Sequence, residues 1–299
     1  MKTHRPAASV MHRAPAKLNL FFEVLGRRDD GYHEIETIVV PLSLCDTLFA
    51  WRLESGDIEL DCRWHAALDE DTRGKLPPPE GNLAYKAVAL LRSRAGVDEG
   101  IGLRLIKRIP AEAGLGGASS DAAAALLAAN DVWRLGWSRA ALAELSAELG
   151  SDVPLFFARG PARCLGRGER VEPLNVGVPW HFVVVRPPAG LSTARVYAGV
   201  EVPERPRGSR PLTDKLCGGD MRNLRECVFN RLQGVAETLS PWIERLRREF
   251  ARQHLLADQM SGSGTAYFGV CHHARHARRV ARRLQARGLG RVYAVGAAN

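Results

Sequence analysis

Apolar and polar positions along this chain alternate between a two-residue and a helical period. Residues 16–25, AKLNLFFEVL, combine alternation with an apolar run, which predicts a strand close to the core. The turn RRDDGY follows. A second extended segment covers 34–44, EIETIVVPLSL, where Pro41 predicts a sheet edge or a break because proline has no amide to donate. IELDC at 58–62 and IGLRLI at 101–106 alternate as half-buried strands do. Between them, GKLPPPEG (74–81) interrupts regular structure. Asn82 then opens LAYKAVALLRSRAG, whose apolar spacing and terminal Gly96 suit a helix with a C-terminal stop.

In the second half, Ser138 is placed to cap RAALAELSAELG and Gly150 to end it, so Asp152 sits where a helix releases the chain. HFVVVRPP reads as a buried strand. A helix is expected at 241–257, a loop at 260–264, an apolar segment at TAYFGV, a basic helix at 272–287 and a last strand at VYAVG. Helices and strands mix without a βαβ period, which predicts an α+β protein and not a doubly wound dinucleotide fold. The composition change across CLGRGERVEPLNVGVP (164–179) divides the chain into lobes of 1–165 and 166–299.

The 299 residues, 45% hydrophobic, are enough for one large core or two smaller ones. A formal charge of +9 favours anionic partners without choosing among nucleotide, nucleic acid and acidic metabolite. Only 7% of residues are aromatic and no Arg/Gly or Lys tail is present, so a protein that stacks single strands is disfavoured and no nucleic-acid partner is expected. The six cysteines are scattered with no C-x-x-C pair, unlike a zinc knuckle or a secreted disulfide scaffold. No run of 18 apolar residues could span a membrane, and MKTHRPAASVMHR lacks the apolar stretch of a secretory signal. These features predict a cytoplasmic protein, with monomer and homodimer equally open.

The chemistry concentrates in two glycine-bearing loops. PAEAGLGGASSD, Pro110 to Asp121, joins a strand to the helix-forming run AAAALLAAN. Gly114, Gly116 and Gly117 allow a sharp turn that gathers amides, and a helix N-terminus behind them favours phosphate. Ser119 and Ser120 offer hydroxyls to such a phosphate. Equally, the loop is an ordinary helix entrance in which Ser119 or Asp121 caps. It is not a Walker A loop, since no Lys-Ser/Thr pair closes it, and it lacks the glycine spacing of the dinucleotide fingerprint. The second loop, MSGSG at 260–264, either brings backbone to a substrate or simply turns the chain into a strand.

Lys17, within a strand-like segment, needs solvent or a partner, and Asp152 is a candidate for that partner. An aspartate beside a hydroxyl can accept or orient its proton while an ammonium stabilises developing charge. Tyr32 and His33 flank a tight turn, where they either stack on and hydrogen-bond a planar base or serve packing. Asn82 either caps its helix or reaches a ligand. His272, His273 and His276 lack the companions of a zinc set.

Taken in order, APAKLNLFFEVLGRRDDGYHE, PAEAGLGGASSDAAAALLAAN, LGSDVPLFF and MSGSGTAYF resemble the signature segments of the GHMP kinase superfamily. The likeness runs from about 14 to 271. It implies a two-lobed fold with the active site in the interdomain cleft. The first and third segments are most similar to the branch that uses ATP, with magnesium, to phosphorylate the 2-hydroxyl of a cytidine-diphosphate-linked methylerythritol in isoprenoid precursor synthesis. By this resemblance Asp152 is the base or hydroxyl-orienting group and Lys17 its partner. Asn82, Pro110, Gly114, Leu115, Gly116, Gly117, Ala118, Ser119 and Ser120 surround ATP. Asn19, Tyr32, His33, Gly262, Ser263 and Gly264 meet the cytidine diphosphate alcohol. Two departures stand out: Ala118 replaces a usual glycine, and Phe229-Asn230-Arg231-Leu232-Gln233 stands where the family commonly carries FND-L-E.

Overall fold

A computed structural model describes residues 9–68, 74–177 and 179–298. Strands β1 (Val10–Arg27), β2 (His33–Leu53), β3 (Ile58–Trp64) and β4 (Gly100–Lys107) build a sheet ordered β3-β4-β2-β1. Helices α1 (Leu83–Ala95), α2 (Gly117–Val132) and α3 (Arg139–Ser146) accompany it. Asn82 accepts the Ala84 amide to cap α1, and Gly96 ends that helix at φ 64°. Ser138 caps α3 through the Ala141 amide. That helix stops before Gly150, because Ala147, Glu148 and Leu149 close tighter i→i−3 bonds to Glu144, Leu145 and Ser146.

Pro41 neither breaks β2 nor lies at an end of it. β1 pairs along one side of β2, while on the other side β5 (Ala162–Gly166) takes Ile35–Val39 and β4 takes Thr47–Leu53. Pro41 falls in the gap between these two partners, where its missing amide costs no ladder bond. β5 turns into β6 (Arg170–Pro173), still on the first sheet. The division expected at 165/166 therefore falls within a hairpin, and the second sheet starts only at β7 (His181–Arg186).

The second lobe carries α4 (Thr193–Ala198), α5 (Arg210–Gly218), α6 (Leu224–Cys227), the two-residue strand β8 (Phe229–Asn230), α7 (Leu232–Leu239) and α8 (Pro241–Ala251). β9 (Ala257–Met260), β10 (Tyr267–Cys271), α9 (Ala274–Gln285) and β11 (Arg291–Gly296) complete it. Its antiparallel sheet is ordered β11-β7-β10-β9. The helix expected to reach 257 ends at Ala251, and the chain turns through His254 at φ 51° into β9.

Successive residues of β1 serve different cores. Ala14 joins Leu48, Leu103 and the alanines of α1 and α2, whereas Leu18 and Leu20 pack with Phe182, Val184 and Phe268 of the second sheet. The first sheet is thus covered on both faces, which explains the unbroken burial of Ala16–Val24. Two pairings add to this shared core. β8 lies parallel to β1 at Phe21–Phe22, and Leu42 of β2 bridges Ala297.

Candidate active site

Lys17 and Asn19, two apart on β1, share a direction. Lys17 Nζ donates to Asn19 Oδ1 at 2.6 Å and lies 3.8 Å from Asp152 Oδ2. The lysine is buried, but half of the Asp152 side chain is open to solvent. Burial lowers the lysine's pKa, and the Asp152 carboxylate opposes that by favouring the ammonium. Cys164 lies near the pair; burial, then the charge of Asp152, pushes its thiol up to about 12, so it stays protonated.

The 110–120 loop is anchored to this pair. The Lys17 amide donates to Leu115 O at 2.9 Å. A Cβ at Gly116, φ 68°, would lie 2.9 Å from Lys17 Cγ, so glycine lets the loop meet the lysine stem. Gly114, φ 72°, faces the second loop, where a Cβ would stand 2.4 Å from Ser261 O. Gly114→Ala is therefore expected to cost about 3 kcal/mol, the left-handed penalty plus overpacking, read as a lower urea midpoint with unchanged slope. Ala118 lies in α2 with no positive φ, so its departure from glycine carries no strain.

The second loop is pinned from several sides. Ser261 Oγ donates to Gly114 O and accepts the Asn19 amide, both at 3.2 Å. Asn230 Nδ2 donates to Met260 O and Gly262 O at 2.8 Å each, and Gln233 Oε1 accepts the Met260 amide. The FNRLQ segment is thus the support of this loop. Arg231, within it, forms a two-pronged pair with the fully buried Glu23 of β1 at 2.7 and 2.8 Å.

Two cavities meet across the first loop. The larger, about 1210 Å³, is lined by Lys17, Asn19, Tyr32, His33, Asp152 and residues 262–264. The smaller, about 550 Å³, is bounded by Trp64, Leu76, Asn82, Lys107, Asp121 and residues 109–119. Glu112, Gly114, Gly116 and Ser119 line both. Among the residues named from sequence, only Ser120 faces neither; it is buried, and its hydroxyl has no partner among the described residues. Asn82 both caps α1 and lines the smaller cavity, so its two readings are compatible.

Sequence reasoning missed Tyr197, whose ring lies 5.2 Å from that of His33 in the larger cleft. Its signal was Ser192, which caps α4 through the Arg195 amide ahead of Val196 and Tyr197. It also missed Arg167, with its guanidinium 4.9 Å from the Tyr32 ring centre, and Thr193, bonded to Ser263 at 2.9 Å. Burial, then the Arg27 charge, lowers the His33 pKa and favours the neutral imidazole. Such a ring can donate one hydrogen bond and accept another.

The GHMP kinases N terminal domain model matches residues 82–160, and the GHMP kinases C terminal model matches 212–289. A 4-diphosphocytidyl-2-C-methyl-D-erythritol kinase of Pelotomaculum thermopropionicum is 40% identical over 91% of this chain and 92% of its own length. The chain belongs to the GHMP kinase family. The kinase's relative in Shouchella clausii, carrying the same enzyme name, is 38% identical over 86% of this chain and 84% of its own. A crystal structure of 4-(cytidine 5'-diphospho)-2C-methyl-D-erythritol kinase superposes with a TM-score of 0.81 at 35% identity, covering 97% and 100% of the two chains. Homoserine kinase from Cytophaga hutchinsonii, at TM-score 0.76 and 16% identity over 100% and 98%, shares the GHMP kinase fold.

Proposed function

We propose that this GHMP kinase transfers the γ-phosphoryl group of ATP to the 2-hydroxyl of 4-diphosphocytidyl-2-C-methyl-D-erythritol, giving the 2-phosphate and ADP in isoprenoid precursor synthesis. The observation that carries the placement of the two substrates is the wall shared by the cavities: loop 112–119 separates them, with Lys17 and Asp152 beside it in the larger cleft. ATP occupies the smaller cavity, and its phosphates reach the amides of residues 114–119 and the Ser119 hydroxyl. The alcohol occupies the larger one. The neutral His33 hydrogen-bonds the cytosine between the rings of Tyr32 and Tyr197, while Asn19 and residues 262–264 border the diphosphate and erythritol.

Asp152 accepts or orients the proton of the 2-hydroxyl, whose oxygen attacks the γ-phosphorus as the bond to the β-bridging oxygen breaks. Lys17 stays charged against Asp152 and offsets negative charge as it develops. Magnesium belongs to the proposal. Glu112, within the loop, and Asp152 both line the larger cleft and would offer the hard oxygens that this ion takes, beside phosphate and water. When bound, the ion would supply charge neutralisation to the triphosphate. A cytoplasmic location is likewise proposed from the scattered cysteines; all six are free thiols. No helix among the described residues is long and apolar enough to cross a membrane.

The test is incubation with ATP, magnesium and the cytidine diphosphate alcohol, followed by phosphorus NMR against an enzyme-free control. A new phosphate monoester appearing together with ADP is the expected result. Efficient phosphorylation of a different alcohol, with this one left untouched, would overturn the assignment.

A further inference from the structure

Beneath the 110–120 loop, apart from the Lys17–Asp152 pair, three buried charged side chains meet. Lys107 ends β4, Asp46 lies on β2 and Asp121 is the fifth residue of α2. Lys107 Nζ donates to Oδ2 of both carboxyl groups. The remaining oxygens differ. Asp46 Oδ1 accepts the amides of Arg108 and of Ile109, the latter at 2.9 Å. Asp121 Oδ1 is sealed from water and has no donor among the described residues, and its carboxyl faces that of Asp46.

Two ionised carboxylates around one ammonium would bury a net negative charge. That charge would sit directly under the helix end that lines the smaller cavity. The donor count shows where the charge stays: Asp46 has three donors and Asp121 has one. We propose that Asp46, Lys107 and Asp121 form a positioning triad of zero net charge, with Asp121 as the neutral acid, which shapes residues 108–121 for the ATP phosphates without repelling them. The triad deepens the proposed function and rests on its placement of ATP.

The surroundings agree. Burial, against the pull of Lys107 and reinforced by Asp46, raises the Asp121 carboxyl well above the usual range. Burial would lower Lys107, but the two aspartates outweigh it. A fourth titratable group facing the cluster, Cys62 on β3, is pushed up to about 11, chiefly by burial, and stays a neutral thiol. As pH rises, Asp121 is the member that gives up a proton, and the triad turns negative.

The experiment measures KM for ATP and kcat across pH for the wild type, Asp121→Asn and Lys107→Met, with infrared spectra of the first two. Wild-type KM for ATP is expected to rise about tenfold as Asp121 ionises, while kcat holds. Asn keeps the shape and cannot ionise, so in Asp121→Asn the low KM persists at alkaline pH. The carboxylic-acid C=O band of the wild type should vanish in that variant. Lys107→Met is expected to raise KM for ATP about tenfold or more at neutral pH. If it does not fold, the Asn variant and the band still decide. A tenfold loss of ATP affinity in Asp121→Asn at neutral pH, or absence of the band, would overturn the triad. Titration of the wild type with ATP alone separates the two readings: no ATP binding sinks the placement of the nucleotide, whereas the infrared band reports on Asp121 regardless.

Discussion

Asp152→Asn is expected to lower kcat by about 10²–10⁴-fold, the usual contribution of a positioned proton acceptor, with ATP affinity nearly unchanged. The half-exposed carboxylate contacts Lys17 at 3.8 Å and seals no core, so the loss should come without unfolding. Asparagine keeps the volume but neither accepts the hydroxyl proton nor supports the buried ammonium. Because burial already lowers the Lys17 pKa and Asp152 opposes that shift, the variant's residual activity should fade at a lower alkaline pH than the wild type's. Steady-state rates across the alkaline limb check this. Wild-type turnover in the variant, or an unshifted limb, would remove Asp152 from its role.

The second large effect is structural. Arg231→Ala leaves the fully buried Glu23 without its guanidinium, a loss expected to cost about 3–5 kcal/mol. Burial alone would push Glu23 up, but Arg231 and the amides of Arg207 and Val24 hold it below the ordinary carboxylate range. A depressed carboxyl stabilises the fold above its unfolded pKa, and that contribution disappears as pH falls through the folded value. In the alanine variant the sign reverses, because protonation now relieves an unpaired buried charge. The deficit against wild type should therefore be greatest near neutrality and shrink in acid, as read by urea unfolding at several pH values. The double change Glu23→Gln with Arg231→Gln should cost less than Arg231→Ala alone. A loss under 1 kcal/mol for Arg231→Ala would mean that the pair contributes little, as surface pairs do.

What local pattern encodes was legible in the sequence. The strand at 16–25, the helix opened by Asn82, and the strand–loop–helix around Gly114–Ser120 all follow from period and punctuation, and four ordered segments carried the family. Facts set by distant partners were not legible. Pro41 reads as a sheet edge or a break, and nothing nearby reveals which, because the gap that β4 and β5 leave beside it is set by distant partners. Arg231 looked like an unexplained departure, since its partner Glu23 lies 208 residues away. Asp121 read as a possible cap until the fold brought Lys107 and Asp46 to it. Even the proposed lobe boundary was drawn from composition alone, and strand pairing carries the first sheet on to Pro173.

The pairing of β8 with β1 has a consequence for the order in which the molecule can be made. Phe21 and Phe22 of the first strand wait for Phe229 and Asn230, and Leu42 waits for Ala297. A ribosome making this chain must therefore release most of it before the first-made strand has all its neighbours. Until then that strand offers an open edge beside Leu18 and Leu20, whose partners Phe182 and Phe268 also arrive late. The N-terminal segment that holds Lys17 and Asn19 is begun first and completed among the last, so Lys17 acquires its final setting only when nearly the whole polypeptide is present.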